Sequence, residues 1–158
     1  PHSRDVMEER PRPMDQSILT GSFLWSIVTE GLIIAVMTMT AFWAGNLQGG
    51  SALASTMAFG ALCTGRLVHG FNCKAAKPVI FSRRLFNNIY LIGAFLLGLL
   101  LITGVMVIPG LQGVFKVVSL NLEQLLTVYG LALLNLPVIQ LMKWIRNRGM
   151  YGVKSGKY

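Results

Sequence analysis

Apolar positions in this chain gather into four long runs, separated by short stretches rich in glycine, proline and charge. The first extends from Ile18 to about Ala44 and contains a single charge, Glu30. The second, from about Ser51 to Cys73, contains Arg66 and His69, and the third, from about Leu85 to Ile108, carries no charge. The fourth, from about Leu120 to Met142, has Glu123 near its start and Pro137 inside it. Each run meets or approaches the ~20 residues that a helix needs to cross about 30 Å of hydrocarbon. Strict alternation, the signature of a membrane barrel, is absent. The pattern predicts an all-α membrane protein with four transmembrane helices arranged as two hairpins.

The turn formers place the boundaries. Gly45-Asn46-Leu47-Gln48-Gly49-Gly50 closes the first hairpin, and Pro109-Gly110 with Gln112-Gly113 closes the second. Spans are therefore expected over 18–44, 51–73, 85–108 and 120–142, with outside loops at 45–50 and 109–119. A leading segment, 1–17, a middle loop, 74–84, and a tail, 143–158, are expected to share the opposite side. Composition agrees: the chain is 53% hydrophobic and only 13% charged, against about 25% charged in an ordinary soluble domain. A soluble enzyme or a nucleic-acid module would have to leave much of that apolar surface in water.

The formal charge of +8 has meaning mainly through its placement. Twelve of the fourteen Lys and Arg residues flank one side: Arg4, Arg10, Arg12, Lys74, Lys77, Arg83, Arg84, Lys143, Arg146, Arg148, Lys154 and Lys157. Lys116 stands alone on the other side, and Arg66 lies inside the second run. This bias predicts cytoplasmic termini and a cytoplasmic middle loop, with the twelve acting as topogenic anchors beside the lipid bilayer. No nucleic-acid partner is needed to explain them. Cys63 and Cys73, about 15 Å apart along one helix, are too far apart to bridge. The chain begins at Pro1, shows no signal-peptide pattern, and is expected to belong to a longer polypeptide.

Two charges sit where membranes tolerate few. Arg66 lies roughly 10 Å inward from Cys73, a depth that marks a functional candidate unless the guanidinium reaches back to the interface. Glu30, roughly 14 Å inward from the start of the first span, reaches a similar level on the returning helix. A Glu30–Arg66 ion pair would neutralise both charges; alternatively, Glu30 serves as a proton or cation carrier. His69, one turn from Arg66, is a weaker candidate for a titrating group. Ala54, Ala58, Ala61 and Gly65 recur at spacings of four, three and four, a stripe that lets a second helix approach closely. Glu123 is expected to compensate the dipole of the first turn of its helix, and Pro137 to kink it. No phosphate-binding glycine loop, nucleophile–base pair or acidic metal cage is present in the sequence.

Several short stretches resemble one family in order along the chain. Asp5-Val6-Met7-Glu8-Glu9-Arg10-Pro11-Arg12 and Leu19-Thr20-Gly21 resemble the cytoplasmic loop and the start of the seventh helix of type II P-type cation ATPases. Thr56-Met57-Ala58-Phe59 and Leu67-Val68-His69-Gly70-Phe71-Asn72 are similar to the eighth helix of the bacterial calcium-pump branch. Ser82 to Tyr90 resembles the loop into the ninth helix. Leu120-Asn121-Leu122-Glu123-Gln124 and Lys143-Trp144-Ile145-Arg146 resemble the tenth. The resemblance implies the C-terminal transmembrane domain, helices seven to ten, of a calcium-transporting P-type ATPase in a bacterial plasma membrane.

It further implies that the fragment alone is non-catalytic and holds no cofactor. ATP, Mg2+ and Ca2+ would serve the whole pump, and the partners would be upstream transmembrane helices and cytoplasmic domains of the same polypeptide. In family members that carry two calcium ions, a glutamate of helix eight ligates one of them, and the resemblance places Arg66 there. An arginine offers no lone pair to a cation, so Arg66 is expected to replace the second calcium site. Two other classes compete on residues alone. One is a small proton-coupled secondary transporter of organic cations using Glu30; the other is a purely structural membrane subunit.

Overall fold

A computed structural model describes residues 21–73 and 89–154. The expected segments 1–17 and 74–84, most of the basic flank residues and the stretches Asp5 to Arg12 and Ser82 to Asn88 lie outside them. Four helices make up the described chain: α1 (Gly21–Cys73), α2 (Ile89–Val107), α3 (Pro109–Phe115) and α4 (Leu122–Lys154).

The 53 residues of α1 do not form one straight rod. The backbone leaves helical geometry at Gly49 and Gly50, and Gly50 takes a φ of 77° that disfavours any side chain. Two arms result, 21–48 and 51–73, about 42 and 34 Å long at 1.5 Å per residue. They fold back on one another: Gly45 lies against Ala54 near the break, and Glu30 lies against His69 at the far end. A Cβ at Gly45 would stand 2.7 Å from the Ala54 Cα, so only glycine lets the two backbones come this close.

The second arm is the centre of the bundle. Ala54, Met57, Ala61, Thr64, Gly65 and Val68 are buried along it, and Ala58 is half-buried. The small-residue stripe is thus a packing surface, as close helix approach in lipid requires. Ala41 of the first arm, Leu53, Met57 and Ala61 of the second, and Val128 of α4 form one apolar cluster. Polar residues are carried by local bonds. The hydroxyls of Thr29, Thr38, Thr56, Thr103 and Thr127 each donate to the carbonyl four residues earlier.

Helix α4 runs parallel to the second arm and antiparallel to the first. Gln124 bonds Gln48 at the end near the break, and Lys143 meets Glu30 at the other. Asn121 and Gln124 bond each other's backbone N–H, at 2.9 and 3.0 Å, in a reciprocal cap that starts the helix. Helix α2 returns antiparallel to the second arm. Phe95 meets Phe71 edge-on at 5.2 Å, Gly98 seats against Leu67, and Met106 packs beside Gly60. A 2.6 Å hydrogen bond between Thr103 and Tyr129 joins α2 to α4.

Within the 109–119 connection, α3 begins with Pro109, whose fixed φ and missing N–H suit a first turn. It ends at Lys116, the one non-glycine residue with positive φ among the described residues, at 54°. Phe115 then faces Phe59, and the Val118 N–H donates to the Thr56 hydroxyl at 3.0 Å, closing this end over the second arm.

Outward faces are apolar. Trp25, Val28, Leu32, Met39, Leu100, Leu101 and Leu126 are all exposed, and Met106 is the one buried residue of α2. In a bilayer such side chains suit acyl chains or the apolar faces of neighbouring helices equally well. Three helices, Phe23–Cys73, Ile89–Val107 and Leu122–Arg146, are long and apolar enough to cross a membrane, the first doubled back on itself.

Candidate functional site

The buried charged groups of the described residues collect at the Cys73 end of the bundle, where three segments each contribute two residues. The first arm supplies Ser26 and Glu30, four apart; the second arm supplies His69 and Asn72, three apart; α4 supplies Gln140 and Lys143, three apart. These spacings put each pair on one helix face. Glu30 is the hub. The Ser26 hydroxyl donates to its Oε1 at 2.8 Å, and the Lys143 Nζ approaches the same oxygen at 3.6 Å. The His69 Nε2 stands 3.6 Å from Oε2. Lys143 also donates to the backbone carbonyl of Asn72 at 2.8 Å, and Gln140 donates to the Asn72 Oδ1 at 2.8 Å.

Burial makes this network costly to break. The Lys143 side chain is 7% exposed and the Glu30 side chain 13%, and Asn72 is fully enclosed. An isolated ion in such surroundings costs several kcal/mol, about as much as breaking a buried pair. The second arm contributes a further term. Asn72 lies near the Cys73 end of the described helix, and its backbone carbonyl accepts from the Lys143 ammonium. Lys143 therefore serves a backbone carbonyl and a carboxylate with one ammonium.

The expected partner of Glu30 is not the observed one. Arg66 is exposed and forms no ion pair among the described residues, whereas His69 and Lys143 hold the carboxylate. The reason is helical rotation. At about 100° per residue, buried Thr64 and Val68, each two residues from Arg66, fall on the opposite side of the arm. Glu30 and Arg66 share a level along the membrane but not a direction. The reading of Lys143 as a plain topogenic anchor also needs correction, because this lysine is buried inside the bundle.

Four buried polar atoms have no partner among the described residues: Thr64 Oγ1, His69 Nδ1, Asn72 Nδ2 and Asn135 Oδ1. They belong to the second arm and to the α4 face against it, and give that interface a polar character extending inward from the cluster. An apolar groove along α2, lined by Leu96, Leu99, Leu100 and Val107, offers only the Thr103 hydroxyl and no comparable chemistry.

An all-helical bundle whose long apolar helices carry a buried charge network defines a multi-pass membrane domain. The particular family follows from its sequence. Residues 1–145 match the family described as Cation transporting ATPase, C-terminus, and the chain belongs to that family. A protein named calcium-transporting ATPase from Bacillus subtilis (strain 168) is 35% identical over 131 residues, which cover 81% of this chain and 14% of that protein. Calcium-transporting ATPase 1 of Bacillus cereus is 32% identical over 160 residues, 90% of this chain and 18% of the relative. A calcium-transporting ATPase of Listeria monocytogenes is 28% identical over 145 residues, 91% of this chain and 16% of the relative. The chain thus spans less than a fifth of the length of these relatives.

Proposed function

We propose that the chain is the C-terminal membrane domain, helices seven to ten, of an ATP-driven pump that exports Ca2+ across a bacterial plasma membrane. The observation that carries this reading is the family match along residues 1–145, joined to three bacterial relatives that all bear the name calcium-transporting ATPase. Residues 18–44, 51–73, 85–108 and 120–142 cross the bilayer, with both termini on the cytoplasmic side, as the basic flanks favour.

ATP and Mg2+ act elsewhere in the polypeptide. The described residues hold no group of three or more His, Cys, Asp or Glu, and a single carboxylate already bonded to a lysine does not fit Mg2+, which wants an octahedron of oxygens. The apolar outer faces of the first arm and α2 are where upstream membrane helices of the same polypeptide pack.

Arg66 stands in for a second calcium site. Its exposure on the face turned away from the buried stripe supports this role, because that face is open to helices outside this chain. Its charge repels a cation and offers no lone pair. The reading predicts one Ca2+ moved per ATP, measured as calcium uptake into vesicles with phosphate release recorded in parallel on the full-length protein. A ratio near two overturns the role of Arg66 and leaves the pump intact. An exporter of organic cations using Glu30 as its carrier fits less well, since Lys143 and His69 already occupy both carboxylate oxygens.

A further inference from the structure

We propose that Lys143 is the resident occupant of a monovalent-cation site built where the last turn of α1, Glu30 and α4 meet, and that a small cation such as K+ or methylammonium takes the seat when the lysine is removed.

The ammonium occupies the position of a bound ion, not that of a surface anchor. Its Nζ lies 2.8 Å from the Asn72 carbonyl oxygen and 3.6 Å from Glu30 Oε1, in a residue only 6% exposed. Two independent sources of negative potential converge there. One is the Glu30 carboxylate; the other is the backbone carbonyl of Asn72, which accepts directly from the ammonium. The seat is held from outside as well. Ser26 donates to Glu30 Oε1 at 2.8 Å, and His69 approaches Oε2 at 3.6 Å, so the carboxylate is fixed on both oxygens. Gln140 donates to Asn72 Oδ1 at 2.8 Å, which fixes the residue whose carbonyl receives the ammonium.

The charge of the site sets the class of its ligand. Glu30 is the sole acidic residue facing the seat among the described residues, so one positive charge completes it. A divalent ion would want several anionic oxygens and would leave an excess charge beside His69. Oxygen donors alone, with one carboxylate and one backbone carbonyl, suit an alkylammonium or an alkali cation. Attaching that cation to α4 makes the closure of the three segments independent of the ions in solution.

The test is chemical rescue in the full-length polypeptide, read by thermal stability so that its result does not depend on the pump assignment. Lys143→Ala is purified in the chloride of N-methyl-D-glucamine, a cation too large for the seat, and its unfolding midpoint is followed as KCl or methylammonium chloride is added at constant ionic strength. The expected result is a saturable rise of about 2 °C or more in this variant, with no response in the unsubstituted protein, where the seat is filled. The variant Glu30→Gln/Lys143→Met, which removes both the charge and its partner, is expected to show no response. Should Lys143→Ala resist purification in N-methyl-D-glucamine, its yield becomes the reading: recovery in methylammonium supports the site. Failure in every buffer, while the double variant is recovered, overturns it. A flat midpoint in Lys143→Ala, or an equal shift in the double variant, overturns it as well.

Discussion

The Glu30–Lys143 contact predicts that losing both partners is gentler than losing one. At 3.6 Å, opposite unit charges attract by about 4–5 kcal/mol where the effective dielectric constant is about 20. Removing both ions from water costs several kcal/mol each, so the intact pair is worth little net. Breaking it from one side leaves an uncompensated ion and costs about 3–5 kcal/mol. Glu30→Gln strands Lys143 with only a carbonyl for company, although the Asn72 bond of 2.8 Å softens that loss. Lys143→Met strands Glu30, which keeps only the Ser26 hydroxyl at 2.8 Å and the His69 imidazole at 3.6 Å. The double variant Glu30→Gln/Lys143→Met removes both charges and keeps similar volumes. The assay is the fraction of full-length protein that elutes as a single species after stepwise heating in detergent. Each single variant is expected to lower the midpoint markedly, and the double variant to recover more than half of the larger loss. A double variant whose loss equals the sum of the two single losses would mean that the residues act independently and would refute the charge-network argument.

Other expectations follow from close contacts away from the charges. Gly45→Ala drives a Cβ to 2.7 Å from the Ala54 backbone and should cost about 1–3 kcal/mol, the range typical of overpacking. Gly31→Ala meets nothing within 4 Å and should be neutral or stabilising by up to about 1 kcal/mol; reversal of that order in heating midpoints would contradict the doubled-back α1. Asn121→Ala removes one half of the reciprocal cap at the start of α4 and should cost about 0.5–2 kcal/mol, visible as faster hydrogen exchange confined to that first turn. Tyr129→Phe deletes the 2.6 Å bond to Thr103 and should cost about 0.5–1.5 kcal/mol; an unchanged midpoint would mean that α2 is held by packing alone.

The bundle was legible in sequence because membrane spans declare themselves by length and apolarity, and the two hairpins by their glycine and proline turns. The Ala54, Ala58, Ala61 and Gly65 spacing identified the packing face of the second arm, since three- and four-residue steps return to one side of a helix. Depth was readable too: counting residues brought Glu30 near the level of Arg66, one turn from the His69 that it meets. Direction was not, because which side of the second arm faces the first depends on how two helices roll against each other. Lys143 was hidden for a different reason. A lysine at the end of an apolar run looks the same whether it anchors to head groups or turns inward, and only the facing Asn72 carbonyl and Glu30 distinguish the two. The pairing of Gln140 with Lys143, and of His69 with Asn72, three residues apart in each case, was the available signal for a polar face. The α3 turn inside the 109–119 connection carried its own mark in Pro109 at its first position.

Calcium movement tests most directly the proposal that this bundle serves an ATP-driven calcium pump. Inside-out membrane vesicles from cells expressing the full-length polypeptide are given ATP, Mg2+ and radioactive Ca2+. The expected result is ATP-dependent accumulation that a calcium ionophore releases and that vesicles without the polypeptide do not show. Vesicles that hydrolyse ATP through this protein yet accumulate no Ca2+, or that accumulate a different cation in its place, would contradict it.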